Sequence, residues 1–390
     1  MSNSYKMTAK TFFGFEELLA KELRDLGAER VKIGNRIVSF YGDLGFMYKA
    51  NLCLRTALKI LKPIGDKRIR NDKDLYNFVK SIDWEQYMDA RDTFAIYATV
   101  HSTVFKHSQF VSLKTKDAIV DKFREDKGER PDVDTQYPDL TINIHIQEDM
   151  CTISLDSSGG SLHHRGYRTA TNIAPINEVL AAGILLHSGW RGQSNFMDPM
   201  CGSGTLAIEA AMIACNIPAN LNRKEFAFEK WLDWDMDLFE KIEEVSLKKV
   251  RDFNYKIYAS DKAPSAVRKA KENIINANLS DFITVKEDNF FESIKQTEGP
   301  LHMVFNPPYG ERLQQLNIEE FYGQIGDALK QGYPGTNAWF ITSNLEGLKF
   351  VGLRPSRKIK VFNGKLEGRL VKYEMYEGSK KAKFNKKEEE

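Results

Sequence analysis

The 390-residue chain is 42% hydrophobic and 28% charged, a balance that excludes fibrous and disordered classes and leaves room for two or three domains with proper cores. Its net charge of +2 argues neither for nor against a polyanion, so a nucleic-acid partner must be read from where the charges fall. No run approaches the roughly 20 apolar residues of a membrane helix. The opening Met1-Ser2-Asn3-Ser4-Tyr5-Lys6 lacks a signal-peptide core, and Cys53, Cys151, Cys201 and Cys215 have neither metal-ligand nor disulfide-framework spacing. A cytoplasmic protein with reduced thiols, no metal and no membrane contact is expected.

In chain order, Phe15 to Leu26 sets Phe15, Leu18, Leu19, Leu23 and Leu26 on one helical stripe and stops at Gly27. Val31 to Ile33 and Ile37 to Phe40 read as strands around Gly34-Asn35, followed by a helix from about Asp43 to Asn51 and a strand at Thr56 to Leu61. This makes residues 1–65 a small α+β unit.

Residues 66–157 read as a second α+β unit. Alternation predicts strands at Phe94 to Val100 and Thr141 to Ile146, the latter pairing with Cys151 to Leu155. Between them, Ser108 to Arg124 is an amphipathic helix flanked by Lys106, Lys114, Lys116, Lys122, Arg124 and Lys127. Interleaved Asp117, Asp121, Glu125 and Asp126 make a solvated face the plain reading and a phosphate-contacting face the alternative. The turn-rich Ser157 to Gly160 opens a linker, residues 158–175, in which Arg165 and Arg168 either hold a phosphate or join two domains. A helix at Ile176 to His187 follows Pro175.

Residues 176–378 form the large domain. The strand Ser194 to Asp198, the turn Pro199-Met200-Cys201-Gly202-Ser203-Gly204-Thr205 and the helix Leu206 to Ala214 make a site where a ligand can approach backbone N–H groups. Two further strands end in Asp261 and in Glu287-Asp288-Asn289, so acidic strand ends gather on one sheet edge. Asp261 lies much farther from Asp198 than the roughly 20 residues of a dinucleotide fold. The excess, Ile217 to Phe253, reads as an insertion: a lid, a substrate wall or an inert excursion.

The buried-strand run Leu301 to Phe305 then breaks at Asn306-Pro307-Pro308-Tyr309-Gly310. The Asn306 side-chain oxygen and the Pro307 carbonyl can share the two hydrogens of an exocyclic amine, and Tyr309 offers a flat face for its ring. A proline-capped turn is the bland alternative. A helix at Glu319 to Lys330, a strand at Ala338 to Thr342 and a hairpin around Asn363-Gly364 complete an α/β fold whose final pair is antiparallel. The lysine-rich tail, residues 379–390, reads as disordered.

Asp198 to Thr205 together with Asn306 to Arg312, and the linker His163-His164-Arg165-Gly166-Tyr167-Arg168 with Ala174-Pro175-Ile176 and Glu178, resemble the THUMP-domain RNA methyltransferases. The nearest branch is that of bacterial 23S rRNA guanine-N2 methyltransferases, with Asn177 as a departure from the usual pattern. The resemblance runs from about residue 5 to 376. It implies a ferredoxin-like first unit, a THUMP RNA-binding second unit and a Rossmann-like class I methyltransferase using S-adenosylmethionine. It implies cofactor contacts at Asp198, Cys201, Gly202, Ser203, Gly204, Thr205, Asp261, Asp288 and Asn306. It places the target base on Asn306, Pro307, Pro308 and Tyr309, and RNA on Lys106, Lys114, Lys116, Arg165 and Arg168. Within this reading the substrate is rRNA or a pre-ribosomal particle, with tRNA, adenine N6 and a protein glutamine as alternatives. A C5-pyrimidine enzyme would need a cysteine nucleophile, and Asn306 to Arg312 contains none.

Overall fold

The computed structural model describes residues 4–169, 175–308, 317–364 and 366–376. They divide into two compact units. The first comprises Met1–Thr11, Leu19–Leu162 and Arg223–Val245; the second comprises Phe12–Leu18, His163–Asn222 and Ser246–Glu390.

The first unit holds strands β1 (Tyr5–Lys10), β2 (Glu29–Gly34), β3 (Ile37–Gly42), β4 (Lys59–Arg68), β5 (Thr93–His101), β6 (Asp132–Val133), β7 (Leu140–Gln147) and β8 (Met150–Asp156). They form one eight-stranded sheet in the order β2-β3-β1-β4-β8-β7-β5-β6. Period-two patterning sets one face. Ile142, Ile144 and Ile146 of β7 pair with Leu155, Ile153 and Cys151 of β8, and all six are buried. Their core is completed by helices α1 (Glu16–Leu26, from Leu19 onward), α2 (Leu44–Cys53), α3 (Asp72–Lys80) and α4 (Ser108–Lys127).

Two expectations change here. The strand placed at Thr56 to Leu61 is β4, which pairs with β1 through Lys59 to Leu61 and with β8 through Leu61 to Arg68. It therefore crosses residue 65 and joins the two expected α+β units in one sheet. Pro63 and Gly65 sit at a register shift in the β4–β8 ladder, where both residue types are tolerated.

The excess segment is the second change. Arg223–Val245, with a 3-10 turn at Ala227–Lys230 and most of helix α7 (Met236–Leu247), belongs to the first unit. The Tyr48 ring lies 4.5 Å from Phe228, 5.2 Å from Trp234 and 5.9 Å from Phe239. Phe226 stacks on Phe228 at 5.1 Å. The segment fills a core rather than walling a site.

The second unit holds β9 (Asn195–Asp198), β10 (Ile257–Asp261), β11 (Ile283–Glu287), β12 (Leu301–Phe305), β13 (Thr336–Thr342), β14 (Arg357–Asn363) and β15 (Leu366–Glu374). The order is β11-β10-β9-β12-β13-β15-β14, parallel through β13 and antiparallel at β13–β15 and β14–β15. Its helices are α5 (Glu178–His187), α6 (Thr205–Ala214), α8 (Pro264–Asn276) and α9 (Ile318–Gly332). All five residues of β12 are buried, as a central parallel strand requires. His302 within it lies 2.8 Å from the Ser188 hydroxyl, and burial pushes its pKa down to about 4, so it sits in the core as a neutral ring. The tail expected to be disordered lies outside the described residues.

Truncating Phe228, fully buried at 0% exposure, to alanine should destabilise the first unit by about 3–5 kcal/mol. Urea unfolding followed by tryptophan fluorescence is the check; an unchanged midpoint would return the segment to the status of a surface excursion.

Candidate active site

The carboxyl ends of β9, β10, β11 and β12 open on one cavity of about 440 Å³, whose lining includes Asp198, Cys201, Gly202, Ser203, Thr205, Asp261, Asp288, Asn306 and Pro308. The turn after β9 is tied to β10 by backbone: Cys201 N–H donates to the Ser260 carbonyl at 2.8 Å and Gly204 N–H to the Cys201 carbonyl at 2.8 Å. Gly202 and Gly204 have φ of 53° and 84°, in the left-handed region that favours glycine. A Cβ on Gly204 would also come within 3.3 Å of the Ala270 side chain of α8. That glycine lets α6 start against α8 from behind the cavity, and it is absent from the lining.

Asp261 accepts from Gly202 N–H at 3.0 Å with one oxygen and from Ala263 N–H at 3.0 Å with the other. An ionised carboxylate has about four lone-pair sites, so capacity remains for a ligand hydroxyl pair. Asp198 is only 1% exposed, and Met200 N–H donates to it at 3.3 Å. Burial pushes its carboxyl well above the usual range, and the negative charge of Asp261 adds to the effect. Its ionised form is favoured in this position only with a cation beside it. Asp288 already pairs with Lys286 at 2.7 Å. Burial likewise pushes the Cys201 thiol up, so it has no thiolate character to offer as a nucleophile.

At the end of β12 the Asn306 side-chain oxygen is buried and has no hydrogen-bond partner among the described residues. Such an atom loses its hydration without replacement unless a ligand donates to it. Pro307 is buried between Asn306 and Pro308 and is not part of the lining. Tyr309 lies outside the described residues. Phe290, Phe291 and Phe321, which sequence reading did not single out, add an apolar wall. Two of them directly follow the acidic strand end at Asp288-Asn289, a position that marks them in retrospect.

The basic residues fare differently. Arg165 is 1% exposed, 3.3 Å from Glu209 and donating to Asn220 at 3.1 Å. Arg168 donates to the Ile176 carbonyl at 2.9 Å and the Thr205 hydroxyl at 2.7 Å, and lies 3.0 Å from Glu178. Both are corrected from phosphate contacts to internal struts of the second unit; Arg168 ties the chain entering α5 to the first residue of α6. Burial raises the pKa of Glu178 to about 7 despite the Arg168 guanidinium. Asn177 caps α5 by accepting from Val179 and Leu180 N–H, which accounts for its presence there. On the first unit, Lys114 pairs with Asp72 at 3.7 Å and Lys116 with Asp117 at 2.8 Å, while Lys106 is exposed. Among the described residues no cluster of His, Cys, Asp and Glu is disposed to hold a metal, and no helix is long and apolar enough to cross a membrane.

This strand order, its antiparallel end pair and its acidic strand ends around one cavity define a Rossmann-like class I methyltransferase domain. The models of known families agree: the RMKL-like methyltransferase domain matches residues 165–372, the THUMP domain 70–156 and the RlmL ferredoxin-like domain 6–61. The chain belongs to the RMKL-like methyltransferase family. A Synechocystis protein named as a candidate RNA methyltransferase is 36% identical over 96% of this chain and 99% of its own length. The ribosomal RNA large subunit methyltransferase K/L of Syntrophotalea carbinolica is 37% identical over 93% of this chain but 53% of its own length. The chain thus spans about half of such K/L relatives. The crystal structure of SMU.472 with SAH superposes at a TM-score of 0.86 and 29% identity, covering 97% of this chain and 100% of that one. A methylase structure from Clostridium difficile 630 superposes at 0.86 and 30% identity, with the same coverage.

Because folding raises the Asp198 pKa, the protonated form is favoured in the folded chain, and stability is lost as pH rises from the ordinary value of 3.8 through the folded one. Asp198→Asn, which keeps the shape without the charge, should therefore be more stable than the parent at pH 7 and nearly equal to it near pH 4. Thermal melts of the ligand-free protein at the two pH values decide; equal midpoints at pH 7 would mean that the carboxylate is already compensated.

Proposed function

We propose that this chain transfers a methyl group from S-adenosylmethionine to an exocyclic base amine of RNA, guanine N2 of large-subunit rRNA foremost, in the cytoplasm. The observation that carries the reading is the unpartnered, buried Asn306 oxygen on the same cavity as Asp198 and Asp261. An amine donor satisfies the first, a cation the second and a hydroxyl pair the third, and one bimolecular pair of ligands has all three.

S-adenosylmethionine supplies, when bound, an electrophilic methyl on a sulfonium. This chain's residues do the rest by placement. Asp198 offers its buried carboxylate to the ligand's cationic end. Asp261, with both oxygens already oriented by Gly202 and Ala263 N–H, offers its free lone pairs to ribose hydroxyls. Asp288 is the acceptor for an adenine amine, held in place by Lys286. The Gly202-to-Thr205 turn brings backbone close to the ligand. Asn306, with the Pro307 carbonyl, takes the two hydrogens of the target amine, turns its lone pair out of the ring plane and stabilises the positive charge that develops on nitrogen. Fixing donor and acceptor side by side removes the need for a strong general base. Pro308 bounds the base slot.

RNA as the acceptor is supported by the THUMP match and by the names of the relatives, and guanine N2 by the K/L resemblance. Adenine N6 is the second reading: a Listeria monocytogenes structure at 29% identity and a TM-score of 0.85 is described as a predicted N6-adenine-specific DNA methylase. Mass analysis of nucleosides after incubation with rRNA, tRNA and DNA separates the two. Asn306→Ala should lower methyl transfer on the order of 100-fold or more while S-adenosylmethionine binding, read by calorimetry, stays within a factor of about two. Loss of cofactor binding instead would remove Asn306 from the amine-holding role.

A further inference from the structure

On the first unit's sheet, β1 sets Lys10 directly opposite Lys59 of β4. Like charges at directly opposed positions on one face destabilise a sheet. Among the described residues the acid that answers them is Asp156, which is buried and paired with Lys59; Lys59 also donates to the Gly159 carbonyl at 3.1 Å. Among the described residues Lys10 donates to an amide oxygen, that of Asn143, at 3.4 Å. Burial and the neighbouring Lys59 hold the Lys10 pKa below its ordinary value, and burial, Lys10 and His101 do the same to His145. Burial is the larger cause of both shifts, and at Lys10 the Asp156 charge acts against that of Lys59.

An aromatic ring completes the patch. Tyr97 of β5 pairs with Asn143 of β7, lies under the Lys59 ammonium at 5.6 Å and is 48% exposed. His101, also exposed, lies 6.2 Å from His145. The helix α4, by contrast, has its cations answered: Lys114 by Asp72, Lys116 by Asp117, Lys122 by Asp126 and Lys127 by Glu85. A polyanion gains little there and gains most where two ammonium groups share one carboxylate.

We propose that the patch made by Lys10 of β1, Lys59 of β4 and Tyr97 of β5, and not α4, is where this chain holds RNA: a backbone phosphate sits against Lys10 and Lys59, and an unpaired base stacks on Tyr97. This rests on the RNA reading above and assigns it a surface. The phosphate relieves the opposed lysines, and the exposed ring is a stacking platform of the kind that single-stranded nucleic acid uses whatever its sequence.

The test is fluorescence anisotropy of a labelled RNA hairpin with an unpaired loop, titrated with the full chain at several salt concentrations. Lys10→Glu and Tyr97→Ala should each weaken binding by about fivefold or more, and Lys10→Glu should reduce the salt slope by about 1. Lys10→Arg should restore wild-type affinity, which a packing role for the lysine stem would not require. The Lys114→Glu/Lys116→Glu double variant should bind within about twofold of wild type. Thermal midpoints screen for folding; should Lys10→Glu fail that screen, Lys10→Gln and the exposed Tyr97→Ala decide. Wild type that binds RNA, with Lys10 and Tyr97 variants unaffected, overturns this surface alone, as does loss of binding in the α4 double variant. Wild type that binds no RNA overturns the RNA reading itself.

Discussion

Two hydrogen bonds from neighbouring residues organise the catalytic half of this chain: Gly202 N–H to the Asp261 carboxylate at 3.0 Å and Cys201 N–H to the Ser260 carbonyl at 2.8 Å. They fasten the glycine turn after β9 to β10, which fixes the start of α6 against the carboxylate of β10. The electrostatic consequence is unfavourable in the empty protein. Asp198 is brought near Asp261 in a buried edge, and its charged form is penalised. Such a site trades stability for affinity: what is costly without a ligand becomes favourable once a cation is seated. The orphaned Asn306 oxygen at the end of β12 is the same trade made with a hydrogen bond in place of a charge.

The parts of this site legible in the sequence were those written as strand ends. Asp198, Asp261 and Asn306 stand at the ends of readable strands and Asp288 just past another, and strands of a parallel sheet deliver their carboxyl ends to one edge whatever lies between them. What the sequence could not show was partnership. Arg165 and Arg168 look like surface cations because guanidinium groups usually are, yet Glu209, far along the chain from Arg165, and Glu178, at the start of the next helix, draw them inside. The lysines of α4 posed the opposite problem, since their carboxylate partners include Asp72 and Glu85 on other elements. Periodicity assigns faces but does not pair charges across them.

The fold followed the same division. Helices with clean stripes and strands with strict alternation were readable, including the isoleucine ladder of β7. Strand β4 was readable only as far as Leu61, because Pro63 and Gly65 beyond it are residue types that disfavour a regular strand and are accommodated here at a ladder irregularity. The segment from Arg223 to Val245 was opaque for another reason. Its aromatic residues announce burial, but Tyr48, against which they pack, lies so far upstream that no local pattern links them.

That long-range packing has a consequence for how the chain is made. Synthesis delivers residues in order from the amino end, and a unit can close only when its last contributor has emerged. The ring cluster under Tyr48 waits for Phe226, Phe228, Trp234 and Phe239. These arrive only after the glycine turn and α6 of the other unit have left the ribosome. The nascent amino-terminal half therefore carries an unfinished apolar surface from Tyr48 until Phe239 has emerged, and the first unit closes only after part of the second is already outside.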